Sequence, residues 1–155
     1  MRKGNAKKRN ILPDPKYKDP LVTRFVNNLM EAGKKNLAYT IFYDAIDIIS
    51  EKTKEEGLAV WKKALNNTTP SVEVKRRRVG GATYQVPIEV RPSRKASLSI
   101  KWLISQARLR GEKTIKEKLV NEIIAASQGE GRAVKKKVDI HKMAESNRAF
   151  SHFNL

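Results

Sequence analysis

The chain of 155 residues contains no cysteine, which excludes a disulfide framework and thiolate chemistry. Its two histidines, His141 and His152, have no cysteine or second histidine at metal-ligand spacing, so we predict no metal and no cofactor. No apolar run is long enough to span a bilayer, and the first residues have no signal-peptide h-region. We therefore expect a cytosolic protein with no membrane partner.

Aromatic and acidic residues are also scarce. Aromatic residues make up 6% of the chain, and Trp61 and Trp102 fall on apolar stripes, which favours core positions over base-stacking platforms. There are 16 acidic residues against 33 Lys and Arg, a net charge of +17. Charge alone allows two polyanionic partners, nucleic acid or an anionic membrane surface, and of these we predict nucleic acid.

No catalytic constellation is present, and we predict that the chain is not an enzyme. It contains no P-loop and no nucleophile elbow. Asp44 and Asp47 lie three residues apart on one predicted helix, a spacing that favours solvated surface acids over a catalytic acid–base pair. With Glu51 they predict an acidic face that points away from nucleic acid. His141 is interpreted as a helix-surface residue.

Residues 72–91 carry the most informative pattern, that of a β-hairpin. Two runs rich in β-branched residues flank Gly80-Gly81-Ala82-Thr83, with glycines where the turn needs positive φ. Apolar residues alternate in both runs: Val72 and Val74, then Tyr84, Val86, Ile88 and Val90. Lys75 to Arg78 interrupt this alternation with four cations on both faces of one strand. Unpaired charge is too costly to bury, so we predict a basic ribbon that projects from the core, either towards a polyanion or as a solvated hairpin.

Most of the remaining chain has helical periodicity. The first predicted helix begins at Asp19-Pro20 and ends at Gly33, the second covers 36–53, and a shorter third helix follows Gly57. The fourth covers 94–110 with Ser93 as its N-cap. The fifth begins at Thr114, where Glu117 completes a capping box, and ends near Gly129, and the sixth covers 133–149. We predict one mainly α domain, a helical bundle of about six helices with a protruding two-stranded β-hairpin and a basic extended N-terminal arm (residues 1–18).

Besides the hairpin, three clusters of cations are candidates for binding an anionic partner. The arm carries Arg2, Lys3, Lys7, Lys8 and Arg9 and no acid; it either binds phosphate or is a solubilising tail. Lys34 and Lys35 follow Gly33, where they either complement the negative end of the first helix or bind phosphate. The fourth helix has Arg94 and Lys95 at its start and Arg108 and Arg110 at its end. Cations at a helix N-terminus are unfavourable, which suggests a compensating partner.

These motifs together closely resemble the bacterial form of small-subunit ribosomal protein seven. The resemblance rests on Asp19-Pro-Leu with Gly33-Lys34-Lys35, on VEVKRRRVGGATYQVPIEVRP over residues 72–92, and on AVKKK, HKMAE and NRAF at 133–137, 141–145 and 147–150. It covers essentially the whole chain. It departs at the C-terminus, where many bacterial members end in a Tyr-Arg-Trp type of tail and this chain ends in Phe153-Asn154-Leu155.

The resemblance implies a single ribosomal RNA-binding domain that binds the 3′ major domain of small-subunit rRNA and nucleates assembly of the head. It implies a cytoplasmic ribosomal location near the decoding centre, the transfer-RNA exit site and the messenger path, as a monomer beside small-subunit proteins nine and eleven. The residues expected to bind rRNA are the arm cations, Lys34, Lys35, Lys75, Arg76, Arg77, Arg78, Arg91, Arg94, Lys95, Arg108, Arg110 and Lys113. Gly80, Gly81, Ala82, Thr83 and Tyr84 would face the exit site.

The C-terminal segment 132–155 is predicted to be a polar helix and a tail. Phe150, His152 and Phe153 of the tail are expected to contact a partner or the chain itself.

Two other functional classes are possible for a chain of this composition. An architectural DNA-binding protein would also use a basic β-ribbon, but would place an apolar wedge at the tip, which Gly80 to Thr83 do not offer. An enzyme acting on RNA has no supporting site.

Overall fold

The computed structural model describes Gly4 and residues 9–153, without the side chain of Phe153. In chain order its elements are α1 Pro20–Leu29, α2 Lys35–Thr53, α3 Gly57–Thr68, β1 Val72–Val79, β2 Ala82–Glu89, α4 Pro92–Arg108, α5 Ile115–Ser127, α6 Arg132–Ser146 and a 3-10 helix, Arg148–Phe153. The described residues form one sheet, the antiparallel pair β1–β2. The predicted mainly α class with a two-stranded hairpin is confirmed.

The chain divides into two compact units, residues 1–40 and 41–155. In the first unit, the Asp19 side chain accepts a hydrogen bond from the Leu21 amide at 2.8 Å, and Pro20 is the first helical residue. The predicted start of α1 is therefore confirmed. The helix buries its apolar stripe, which consists of Val22, Phe25, Val26 and Leu29.

The predicted end of α1 is wrong. The helix ends at Leu29, because Met30 leaves the helical region with ψ of 137°. Gly33 has φ of +74° and belongs to the turn that leads into α2. Lys34 and Lys35 therefore lie at the positive N-terminal end of α2, and they do not complement the negative end of α1.

The second unit has a packed helical core. Helix α3 packs against α5 and α4, and α4 also packs against α5 and α6. Phe42 and Trp61 meet edge to face with ring centroids 5.3 Å apart. Trp61 is fully buried and Trp102 is 8% exposed, which confirms that both tryptophans are core residues.

Glycine is required where α3 begins. A Cβ atom on Gly57 would collide with the Ile46 carbonyl oxygen and lie 2.7 Å from Ser50 Oγ. The Gly57 amide donates to that hydroxyl at 2.9 Å. The start of α3 is thus held directly against α2 residues of the same unit.

Two helix boundaries near the basic clusters differ from the prediction. Helix α4 begins at Pro92 with Arg91 as its N-cap, because the fixed φ of proline suits the first helical position. Helix α6 begins at Arg132 and ends at Ser146, and a 3-10 helix follows in place of a continued α-helix. The predicted capping box of α5 is confirmed, with the Thr114 hydroxyl accepting from the Glu117 amide at 3.2 Å.

Candidate nucleic-acid interface

The hairpin turn consists of two residues, one of the shortest turns that join antiparallel strands. Gly80 and Gly81 have φ of +56° and +88°. Positive φ at both central residues is typical of a type I′ turn, whose twist matches the strands it joins. The predicted turn was too long, because Ala82 and Thr83 already pair with Val79 and Arg78.

The four consecutive cations of β1 alternate between the two faces of the hairpin. In the register of the strands Lys75 lies opposite Val86, Arg76 opposite Gln85, Arg77 opposite Tyr84 and Arg78 opposite Thr83. Lys75, Arg76 and Arg78 are exposed, and Arg77 is half-buried. The prediction that these cations occupy both faces of one strand is confirmed. At the root, Val86 and Val90 are buried, so the ribbon is attached to the core by apolar side chains.

A buried acid lies at the root of this basic ribbon. Glu73 of β1 accepts hydrogen bonds from Arg94 Nε with both carboxylate oxygens, each at 2.8 Å. Lys75 Nζ lies 3.6 Å from the nearer of these oxygens. Glu73 therefore ties the hairpin to the first turn of α4, and it supplies part of the compensation that we expected an external partner to provide.

The start of α4 is the second basic cluster of the unit. Arg91 and Arg94 are exposed and Lys95 is half-buried. The first turn contains no acid of its own, and Arg91 makes no side-chain capping bond. Positive charge next to the positive end of a helix raises the local potential, which favours an anion there.

The end of α4 is arranged differently from its start. Arg110 donates from Nε to Glu112 at 2.9 Å and from Nη1 to Glu122 at 2.7 Å. Glu122 also accepts from the Ala133 amide at 2.8 Å and is fully buried. Arg108 and Lys113 are exposed. The role of Arg110 in rRNA binding stays a prediction, but its guanidinium already donates hydrogen bonds to two carboxylates of its own chain.

The pKa values of this group follow from its hydrogen bonds. Bonds from Asn121 and Arg110 hold the pKa of Glu112 at about 2, below its ordinary value of 4.5. Burial alone would lower the pKa of Arg110, but its bonds to Glu112 and Glu122 outweigh burial and raise it. Both groups are therefore charged at neutral pH.

Sequence reasoning missed both Glu73 and Glu122. Glu122 did carry a signal, because it occupies a core position between Leu119 and Ala126 on the apolar stripe of α5. An acid at such a position needs a partner, and a cation near the end of α4 was available. Glu73 is flanked by two valines on an alternating strand, where the pattern places it on the face of Lys75 and Arg77, opposite to the face of the valines.

In the first unit, Arg9, Lys34 and Lys35 are exposed. Lys35 Nζ lies 5.7 Å from the centre of the Tyr39 ring, a cation–π distance. The predicted arm ligands Arg2, Lys3, Lys7 and Lys8 lie outside the described residues, and their role stays a prediction.

The tail contacts its own chain. The 3-10 helix packs along β2, and the Phe150 ring lies 5.2 Å from the Tyr84 ring. Of the two possibilities left open for the tail, the structure shows docking on its own chain for Phe150. His152 is exposed, and the side chain of Phe153 lies outside the described residues.

Helix α6 is attached to the segment before the hairpin by two side chains. Lys137 Nζ donates to the Asn67 carbonyl at 2.9 Å, and the Ser71 amide donates to His141 Nε2 at 3.2 Å. His141 lies partly exposed on α6, in agreement with its interpretation as a helix-surface residue. The sequence did not predict that its imidazole accepts a hydrogen bond from a residue 70 positions away.

This hydrogen bond should make stability depend on pH. The bond requires an unprotonated Nε2, and burial, followed by the charge of Lys137, lowers the pKa of His141 below its ordinary 6.5. The unfolded chain therefore takes up the proton at higher pH than the folded chain does. The stabilisation that His141 gives the fold is complete above pH 6.5, the ordinary pKa of histidine, and it is lost as the pH falls from 6.5 through the lower pKa of the folded protein. His141→Gln keeps an acceptor oxygen but does not titrate.

We therefore expect the melting temperature of the parent to fall more than that of His141→Gln between about pH 7.5 and 5. Thermal unfolding followed by circular dichroism at a series of pH values measures the difference. Parallel curves for the two proteins would contradict the role assigned to His141.

One of the acidic residues on the predicted acidic face of α2 forms an ion pair with α5. Asp44 accepts from Lys116 Nζ of α5 at 2.8 Å. Asp47 and Glu51 are exposed.

Within the described residues, no cluster of three or more His, Asp or Glu side chains could hold a metal ion. No helix in this part of the chain is both long and apolar enough to cross a membrane.

Comparison with known proteins gives a consistent result. The family model described as ribosomal protein S7p/S5e matches residues 1–148. The chain is 76% identical over 155 residues to the small ribosomal subunit protein uS7 of Amoebophilus asiaticus, and 64% identical over 155 residues to that of Cytophaga hutchinsonii. In both cases the whole of each chain is covered.

Proposed function

The chain belongs to the ribosomal protein S7p/S5e family, and we propose that it binds the 3′ major domain of small-subunit rRNA as a primary binding protein and nucleates assembly of the head. It is a structural constituent of the small ribosomal subunit and not an enzyme. The ribosomal setting implies rRNA as its partner, and we propose that it acts in the cytoplasm as a single copy.

The observation that carries the proposal is the basic ribbon. Four consecutive cations stand on both faces of a hairpin whose root is buried in the core. Side chains on two faces can contact two phosphate strands at once, or both walls of one RNA groove. Arginine suits this task because its planar fork matches phosphate geometry.

We assign the remaining rRNA contacts by exposure and charge. In the second unit they are Arg91, Arg94, Lys95, Arg108 and Lys113, and in the first unit Arg9, Lys34 and Lys35. Each of these side chains is exposed or lies at a helix N-terminus where an anion is favoured. The arm cations Arg2, Lys3, Lys7 and Lys8 belong to the same proposal on charge alone.

We assign the hairpin tip to the transfer-RNA exit site and the messenger path, at the subunit interface near the decoding centre. Gly80, Gly81, Ala82 and Thr83 are exposed and uncharged, so the tip can approach RNA closely through its backbone. Tyr84 packs against Phe150, which stiffens the ribbon behind the tip. His152 is among the exposed residues of the described tail, and we assign it to contact with a neighbour; small-subunit proteins nine and eleven are the proposed neighbours.

The test is binding of the purified chain to an isolated head-domain rRNA fragment across a salt series. We expect the affinity to fall steeply with salt, with several counterions released per complex, on the order of five to ten. Duplex DNA of equal length, the ligand of an architectural protein, should compete poorly at matched salt. A flat salt dependence, or equal competition by duplex DNA, would contradict the proposal.

A further inference from the structure

Glu73 is a buried acid in the most basic stretch of the protein. It is 9% exposed and immediately precedes Val74 and the four cations of β1. An acid on an RNA-binding surface ordinarily weakens binding, because it repels phosphate and lowers the local positive potential. Its position therefore needs a physical reason.

The bond between Glu73 and Arg94 uses only the inner edge of the guanidinium. Both carboxylate oxygens accept from Nε, and within the described residues the two Nη groups have no hydrogen-bond partner. The Arg94 side chain is 51% exposed. The carboxylate thus fixes the direction of the guanidinium and leaves its outer N–H groups available for phosphate oxygens.

Without Glu73, the surroundings would drive these cations apart. The N-terminus of α4 repels Arg94, and Lys75 Nζ lies 3.6 Å from a Glu73 oxygen that Arg94 Nε also contacts, so the two cations are close to each other. Each of these two side chains has about 2 kcal/mol of rotamer freedom to lose when it is held in one geometry. Order that already exists in the free protein lowers the cost of ordering when RNA binds.

We propose that Glu73 is a positioning residue for RNA binding, which holds Arg94 and Lys75 in the orientation that accepts phosphate. This inference rests on the proposed function. Its consequence is opposite to that of simple charge counting: removing the negative charge of Glu73 makes the protein more positive and yet weakens its binding to RNA.

The experiment compares two substitutions that make the same change of charge on the same hairpin. Glu73→Gln removes the buried acid, whereas Glu89→Gln removes an exposed acid whose side chain has no polar partner among the described residues. With the head-domain rRNA fragment, we expect Glu73→Gln to bind about three- to tenfold more weakly than the parent. Glu89→Gln should bind as tightly as the parent or more tightly. The slope of log affinity against log salt should become shallower by about one for Glu73→Gln.

A double-mutant cycle separates positioning from a general loss of structure. If Glu73 acts through Arg94, adding Glu73→Gln to Arg94→Ala should change affinity much less than it does in the parent. An equal loss in both backgrounds would overturn the inference, as would Glu73→Gln binding as tightly as Glu89→Gln. Failure of the parent itself to bind the rRNA fragment would instead refute the proposed function, and with it this inference.

Discussion

Replacing Arg76, Arg77 and Arg78 with alanine is expected to weaken binding to the rRNA fragment by about tenfold or more. The same variant should melt within a few degrees of the parent. Arg76 and Arg78 are exposed, and each pair of same-face cations on β1 is a like-charge pair, so their removal relieves repulsion. The attachment of the hairpin depends on other residues, since Val86 and Val90 are buried at its root.

Two controls separate charge, geometry and stability. Lysine at the same three positions keeps the charge but removes the planar fork, so its affinity should lie between those of the parent and the alanine variant. Alanine at Lys54, Lys62 and Lys63 removes the same charge from exposed positions where we place no RNA contact, and should change affinity little. A melting temperature many degrees lower for the hairpin variant, or unchanged rRNA affinity, would refute the assignment.

The hairpin could be predicted from the sequence because each of its features is local. The alternation of valines, the glycine pair and the run of cations all act over two to four residues, so they predict the two strands and the position of the turn. The exact register was not predicted, because Ala82 and Thr83 belong to β2 and not to the turn. The start of α1 and the capping box of α5 were predictable for the same reason. The end of α1 was not, because the residues after Leu29 still fit a helical pattern and Gly33 was the only visible stop signal.

The partners of the charged residues could not be predicted. Glu73 and Arg94 are 21 positions apart, and Ser71 and His141 are 70 apart, so only the packing of α4 and α6 on the hairpin brings them together. Composition identified the protein as basic, but it did not distinguish cations that face solvent from those that already hold a carboxylate. Arg110 belongs to the second kind, and Arg94 shares properties of both.

Glu122 joins three segments of the second unit at one buried point. One of its carboxylate oxygens accepts from Arg110 and the other from the Ala133 amide in the first turn of α6. The chain between α5 and α6 turns at Gly131, whose φ is +96° and whose Cβ, if present, would lie 3.2 Å from Glu122. A carboxylate at the positive end of α6 is also favoured by the helix dipole. The direction in which α6 leaves α5 therefore depends on this side chain.

Glu122→Ala is accordingly expected to cause the largest loss of stability among single substitutions of polar residues in the described chain. Breaking a buried ion pair from one side leaves Arg110 and the Ala133 amide short of an acceptor, which typically costs about 3–5 kcal/mol. For a chain of this size that loss corresponds to a fall in melting temperature of roughly 6–20 °C. Amide hydrogen exchange should become faster first in α6, because its N-terminal turn loses its cap. Glu145→Ala is the matched control, since this exposed acid of α6 has no polar side-chain partner among the described residues and should melt like the parent. If Glu122→Ala melted within about 2 °C of that control, the carboxylate would not hold α6 in place.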